Sequence, residues 1–323
     1  MSVTVGELSE QEILRRIVVR TGTASAASVG PGDDAAVLRS SGDIVATTDT
    51  LVHGPDFRMA WSSGYDLGWK AAAVNLADVA AMGATPTALL VALAMPNATP
   101  IELVEAMADG LRDACDALAP GCAVVGGDLT VSATLTIAVT ALGDLEGRAP
   151  VLRSGALADQ TVAVAGELGH SGRGLRILFD RFRDADGEPV AVDPAALGEG
   201  ERELLAAQLR PAPPLGLGPL AARAGATAMM DVSDGLVLDA SRMARASGVA
   251  IALDSAALGP DISSALTGGE DHALLATFPD GALPPGFRAI GRTVEGEGVL
   301  LDGAPFEGRG GWDPYAEWDG VVG

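Results

Sequence analysis

The sequence predicts a mixed α/β (α+β) protein of two domains, and three observations carry that reading. Short apolar runs, such as 87–95, T-V-A-V-A at 161–165 and A-L-L-A-T-F at 273–278, recur between longer stretches of helical period at 65–82 and 100–118. That is the pattern of sheets covered by helices. The chain has 323 residues, more than the ~100–200 of an ordinary single domain. Finally, a turn-rich segment from Gly143 to Pro150 separates two halves that each carry strands and helices, so the division is expected as 1–147 and 148–323.

Hydrophobic residues make up 48% and charged residues 20% of the chain, a composition that folds and does not stay disordered. Cys115 and Cys122 are too few for a disulfide framework and lack metal-ligand spacing, so they read as small buried hydrophobes. The opening M-S-V-T-V-G-E-L-S-E has no basic start followed by an apolar run. Gly, Asp or Thr interrupts every apolar window short of the ~20 residues of a membrane span. A soluble cytoplasmic protein is expected. The net charge is −22, from 43 acidic and 21 basic residues, and Lys70 is the only lysine. Such a field repels nucleic acid and anionic lipid, and neither is expected as a partner. A phosphate ligand would need divalent cations, local arginines or backbone amides to neutralise it, because no G-x-x-x-x-G-K-[ST] loop is present.

Residues 7–20 read as a first helix, with Ser9 as N-cap, Glu12 three residues on, and Ile13, Leu14, Ile17 and Val18 as its apolar face. A strand pair is expected around 35–51, entered through the turn G-P-G-D-D and closing on T-T-D-T. The Ala-rich helix 65–82 ends at Gly83, with Pro86 beyond. Strand 87–95 leads to helix 100–118, introduced by Thr99-Pro100. G-C-A-V-V-G-G-D-L-T then reads as a buried strand ending in a Gly-Gly turn, and T-L-T-I-A-V-T-A-L as a half-buried strand.

In the second half, strand 161–165 passes through G-E-L-G-H-S-G-R-G-L into a helix. Residues 183–202 form a polar excursion, and R-P-A-P-P-L-G-L-G-P at 210–219 a rigid connection. An apolar strand ends in Asp231, Ser233 is placed to cap the next helix, and Asp234 falls in its first turn. G-G-E-D-H opens another strand with Glu270 and Asp271 at its mouth, and the C-terminus gathers Trp312, Tyr315 and Trp318.

Aspartates therefore recur at or beside the ends of apolar elements: Asp33 and Asp34, Asp49, Asp78, Asp128, Asp231 and Asp234. Hard oxygen donors so placed suit Mg²⁺, which prefers carboxylates, waters and phosphate oxygens. Each has a structural alternative. Asp33, Asp34 and Asp49 are also what two acidic turns of a surface hairpin look like. Asn75 and Asp78 share a helix face and could simply meet solvent. Gly126-Gly127-Asp128 fits a plain hairpin turn as well as a close approach to phosphate. Capping explains Ser233 and Asp234 but leaves Asp231 unexplained. The terminal aromatics suit docking on the core as well as a stacking wall for a ring.

Taken in order, G-D-D-A-A, T-T-D-T-L-V, N-L-A-D-V-A-A-M-G-A, G-G-D, R-S-G-A, D-V-S-D-G-L and G-G-E-D strongly resemble the thiamine-monophosphate kinase family, related to aminoimidazole ribonucleotide synthetase and selenophosphate synthetase. The match runs from about residue 28 to the C-terminus. The resemblance implies an N-terminal half that pairs with a second subunit through a shared β-barrel, a C-terminal α/β sandwich, and ATP near the dimer interface. It implies transfer of the ATP γ-phosphate onto the phosphate of thiamine monophosphate, giving thiamine diphosphate. By motif, Asp34, Thr47, Thr48, Asp49, Asp78, Asp128, Asp231 and Asp234 correspond to ligands of several Mg²⁺ ions. Gly127, Asp128, Arg153 and Ser233 correspond to nucleotide contacts, and Glu270 and Trp312 to substrate contacts. Two departures stand out. Asp56, in H-G-P-D-F, occupies the place where the family often has a substrate-contacting histidine, and His272 replaces the aromatic of G-G-E-D-Y.

The residues agree with that chemistry on physical grounds. A phosphate monoester acceptor, with a second pKa near ~6, is ionised at neutral pH and needs no general base. None is offered, since the three histidines, His53, His170 and His272, form no evident dyad in the sequence. The barrier is then anion meeting anion. The competing readings are another ATP-using member of the same superfamily, and a non-catalytic sensor of ATP-Mg or thiamine phosphates. Selenophosphate chemistry is disfavoured because the first cysteine is Cys115.

Overall fold

A computed structural model describes residues 3–308, 310 and 311 of the chain. Its first helix, α1 (Glu10–Val18), starts where Ser9 accepts a hydrogen bond from Glu12 N at 3.3 Å, as the capping pattern predicts. Strands β1 (Ala27–Val29) and β2 (Val37–Leu38) pair with each other around the acidic turn, whereas β3 (Ile44–Val52) enters a different sheet. The strand pair expected around 35–51 is therefore not a hairpin. Helix α2 (Gly64–Ala81), β4 (Thr85–Met95), α3 (Ile101–Leu118), β5 (Ala123–Val131) and β6 (Thr136–Asp144) complete this half.

The sheet order is β3-β6-β4-β5, with β4 and β5 parallel and the other pairs antiparallel. Helices α2 and α3 cover one face, where Leu51, Leu89, Ile137 and Val139 join the core. Thr48, Thr50, Leu90, Ala92 and Asp128 on the other face are exposed. The alternation along β6 is the period of two that the sequence shows. Among the described residues no sheet closes into a barrel: β3 and β5 are open edges.

Two glycines set close approaches here. A Cβ on Gly68 would lie 2.0 Å from the Met107 carbonyl oxygen, so its absence lets α2 and α3 pack backbone to backbone. A Cβ on Gly127 would lie 1.9 Å from Val91 O. The Gly-Gly pair is thus the interior of β5, pressed against β4, and not the turn that the sequence suggests.

The second half contains β7 (Thr161–Ala165), α4 (His170–Arg181), α5 (Glu199–Leu209), α6 (Leu217–Arg223), β8 (Ala228–Val232), α7 (Leu236–Ser247), β9 (Ala250–Leu253) and α8 (Ile262–Thr267). It ends with β10 (Ala273–Phe278), β11 (Arg288–Val294), β12 (Gly298–Leu301) and β13 (Ala304–Pro305). Seven strands form one sheet, ordered β13-β12-β9-β11-β7-β10-β8, antiparallel except between β9 and β12. Val162, Val164, Met230, Val232 and Leu275 pack toward α7 and α8, while Ala163, Ala165, Met229, Leu274, Ala276 and Phe278 pack toward α6 and Ala81 of α2. Burial on both faces is why these strands read as unbroken apolar runs. Among the described residues no helix is long and apolar enough to cross a membrane.

The tight α2–α3 crossing yields a direct test. Gly68→Ala should lower the unfolding free energy by about 2–3 kcal/mol, the cost of forcing a methyl into a packed contact. Urea unfolding checks it, and an unchanged midpoint would mean that the crossing is looser than described.

Candidate active site

The site forms where α2 passes between β3 of the first sheet and the ends of β8 and β10 of the second. The sequence leaves open whether Asn75 and Asp78 face solvent. Both turn inward. Asn75 is 1% exposed, donates Nδ2 to Ala71 O at 2.9 Å, and has no partner for its Oδ1. Asp78 accepts at Oδ2 from the Thr47 hydroxyl of β3 at 3.0 Å. Thr47 and Asp49 lie two apart on β3 and so share its helix-facing side. Asp49 is an interior residue of this strand and does not close it, as the sequence had suggested.

Across α2, buried Asp231 lies one residue before the end of β8, and its charge acts on Asp78. Burial first, and then the Asp231 and Asp49 carboxylates, push Asp78 up to about 6, against the hydrogen bond from Thr47. Three acids from three elements are crowded with too little positive charge around them. A set of hard oxygen donors in this condition fits a divalent cation. Among the described residues no three His, Cys, Asp or Glu side chains already converge on one point.

Asp231 has a partner that the sequence does not reveal. His272 Nδ1 lies 3.0 Å from Asp231 Oδ2, both buried, so a histidine–carboxylate dyad exists where none was expected. Burial works to lower the His272 pKa, but the Asp231 hydrogen bond and charge, with Glu270 behind them, hold it above the usual histidine range.

Ser233 and Asp234 also differ from expectation. Helix α7 begins at Leu236 after Gly235, and it is Asp239 inside the helix that reaches back, accepting from Ser233 N at 3.1 Å and Asp234 N at 3.0 Å. Arg242 donates to Asp239 at 2.6 Å and also pairs with Asp234. Burial and the Asp231 and Asp234 charges raise Asp239 to about 6, while the Asp234 backbone and Arg242 oppose them. The Asp239/Arg242 spacing of three was legible as an intrahelical ion pair; the backward cap was not.

Beside this group lies a second charged cluster. Glu270, whose backbone has a φ of +65, donates its N–H to Ser233 O at 2.7 Å. Its Oε1 meets Lys70 Nζ of α2 at 2.8 Å, and its Oε2 accepts from Gln208 Nε2 of α5 at 2.6 Å. Burial opposes ionisation of Glu270, but Lys70 and Gln208 outweigh it and hold the carboxyl below its usual range. Asp56 accepts from Val52 N at 2.7 Å. Burial, then the Glu270 and Asp49 charges, raise its pKa, against the Val52 hydrogen bond and Lys70.

Other expected residues stand apart within one chain. Asp34 is exposed in the turn between β1 and β2, donating its N–H to Asp33 Oδ1 at 3.2 Å. Thr48 points to the uncovered face and donates to Val139 O at 3.0 Å. Asp128 shares that face, in a row with Ala92, Ala138 and Thr50. It lies three strand spacings, roughly 14 Å, from β3, and Gly127 sits beside it. Exposed Arg153 is held through its carbonyl by Ser247 at the far end of α7 from Ser233, about 18 Å along the 12-residue helix. Trp312 falls outside the described residues.

Residues 32–145 match the family model described as AIR synthase related protein, N-terminal domain. The chain is 41% identical to a thiamine-monophosphate kinase of Mycobacterium tuberculosis over 336 residues, covering 98% of this chain and 95% of that one. It is also 41% identical to the enzyme of that name from Corynebacterium glutamicum, with 90% and 88% covered. Among solved structures, thiamine-monophosphate kinase from Stenotrophomonas maltophilia superposes with a TM-score of 0.77 at 33% identity, covering 93% and 98% of the two chains. AaThiL complexed with AMPPCP and TMP superposes at 0.74 with 32% identity, covering 96% and 98%. Fold and site thus define a mixed α/β protein with an AIR synthase-related N-terminal domain and a set of acids on elements facing one another between two sheets. Within that class, the chain belongs to the thiamine-monophosphate kinase family.

The crowding at Asp78 has a measurable consequence. With a folded pKa of about 6 against an unfolded value of 3.8, the folded state holds a proton that the unfolded state has lost. Stability contributed by the protonated carboxyl is therefore lost as pH rises from about 4 to 6. In chelator, wild type should lose on the order of 2 kcal/mol more than Asp78→Asn between pH 4.5 and 7.5. Parallel urea curves for the two proteins would count against the crowding.

Proposed function

We infer that this chain transfers the γ-phosphate of ATP directly to the phosphate of thiamine monophosphate, giving thiamine diphosphate and ADP. The observation that carries this is that Asp78 of α2 lies in the field of both Asp49 of β3 and Asp231 of β8, beside the Lys70–Glu270 pair. Similarity to a complex holding AMPPCP and TMP supports the choice of ligands.

No side chain is needed as general base, since the acceptor is already an anion. The His272–Asp231 pair is buried, and its ring nitrogen is committed to the carboxylate, so we assign it to holding Asp231. Thr47, Asp49, Asp78, Asp231 and Asp234, with Asp34, Thr48 and Asp128, are the groups we assign to several Mg²⁺ ions. Bound magnesium supplies charge neutralisation between two phosphate groups and a template for in-line displacement. Gly127, Asp128, Arg153 and Ser233 are assigned to the nucleotide. Asp56, Glu270 and the face of Trp312 are assigned to the cationic thiazolium, which carboxylates and an indole both attract.

We place the domain division at 147/148, supported by the separate sheets on either side, and the protein in the cytoplasm. We also propose a homodimer that closes two four-stranded sheets into one barrel. Its support is the uncovered face with Thr48, Leu90 and Asp128, and the open edges β3 and β5. A paired edge would remove an aggregation-prone template. It would also offer Asp128 and Gly127 a site that one chain does not build around them.

Asp49→Asn and Asp128→Asn should each lower thiamine diphosphate formation by at least about 100-fold, the scale of losing one electrostatic group at a reacting centre, with circular dichroism unchanged. A coupled assay with ATP, Mg²⁺ and thiamine monophosphate decides it: near-wild-type turnover in either variant would remove that aspartate from the site. Sedimentation equilibrium should give twice the chain mass, and a monomer at micromolar concentration would rule out the shared barrel.

A further inference from the structure

Lys70 is the one lysine among 21 basic residues, and it is almost fully buried, its side chain 6% exposed. A buried ammonium is costly unless paired, so its surroundings need a reason. It projects from α2 to Glu270 Oε1 at 2.8 Å, while Gln208 of α5 takes Glu270 Oε2 at 2.6 Å. Gln208, 4% exposed, is itself fixed by a hydrogen bond from the Ser171 hydroxyl of α4. Together with the Glu270 N–H on Ser233 O, these contacts hold one carboxylate between α2 and α5.

The neighbouring charges make the arrangement selective. Asp56 and Glu270 are both carboxylates and interact electrostatically, and Lys70 acts on both. With both acids ionised the trio carries one net negative charge, a sign that suits a cationic ring. The choice of lysine matters as well. An ammonium is a compact point charge that can sit on one carboxylate oxygen, whereas a guanidinium fork takes two at once. With lysine on Oε1 and the Gln208 amide on Oε2, each oxygen keeps an acceptor site for a ligand, and the side chain is 34% exposed.

We propose that Lys70 is a positioning residue for substrate selection, fixing Glu270 by one oxygen and leaving the Asp56–Glu270–Lys70 group with a charge that suits one thiazolium. The proposal rests on the functional reading above. An ion pair that merely clamps the two halves together is the alternative, and a second substitution separates the two. Lys70→Met should raise the KM for thiamine monophosphate about ten-fold or more while leaving the KM for ATP within two-fold. Lys70→Arg keeps the cross-cleft charge, so it should restore the melting temperature but not the KM for thiamine monophosphate.

Titration calorimetry of thiamine monophosphate, without ATP, should show the same loss of affinity in both variants. Restoration of affinity by arginine would reduce Lys70 to a clamp and overturn the proposal, as would an unchanged KM in Lys70→Met. If Lys70→Met does not fold, the arginine variant alone decides. Wild type that makes thiamine diphosphate beside variants that behave identically would sink only the role of Lys70. Wild type that neither binds nor converts thiamine monophosphate would sink the functional reading, and this proposal with it.

Discussion

The burial of α2 between two sheets is the constraint on which the rest of the site depends. Fourteen of its 18 residues are buried, which is why the helix is Ala-rich and shows no single apolar stripe. Its small side chains let α3 approach on one side and α6 on another, so the helix cannot shift without disturbing both halves of the core. From this one rigid rod, Asp78 and Lys70 project toward residues of the second half. Asp78 meets the Thr47 hydroxyl and the field of Asp231; Lys70 meets Glu270. Placing the charges on a helix wedged between sheets holds them at fixed separation, which a loop would not do.

Two charge environments result, side by side and of opposite design. Around Asp78 the protein leaves carboxylates under-neutralised, a condition that costs stability when they ionise and favours whatever cation restores balance. Around Glu270 it supplies its own cation and a neutral amide donor, so that the carboxylate stays ionised and oriented. A chain of net charge −22 thereby leaves one region short of positive charge and balances part of the next with its single lysine. Asp56 feels both environments, through the charges of Glu270 and Asp49.

Much of this was legible in the residues. The period of α2, the alternation of β6, the unbroken apolar strands of the second sheet and the Ser9 cap all follow local rules that the structure obeys. Asp78 and Asp231 stood out because an acid at an apolar position needs a partner, and each has one. The errors arose where local signals have two meanings. Gly126-Gly127 looked like a turn but relieves a clash between adjacent strands. Ser233 looked like a cap, yet Asp239 from within the helix binds the preceding amides instead. Lys70 was visible only as a compositional oddity, and nothing near it in sequence points to Glu270, 200 residues away.

By itself, then, the sequence determined the elements, the sign and scale of the field, and which acids were too costly to leave unpaired, because these depend on residue type and short-range spacing. Tertiary structure alone decided which acids share a field. It joined Asp49, Asp78 and Asp231, added His272, Lys70 and Gln208, and left Asp34, Asp128 and Arg153 apart within one chain. The physical reason is that burial and Coulomb interaction act through space: a pairing across a cleft has no period for a sequence to display.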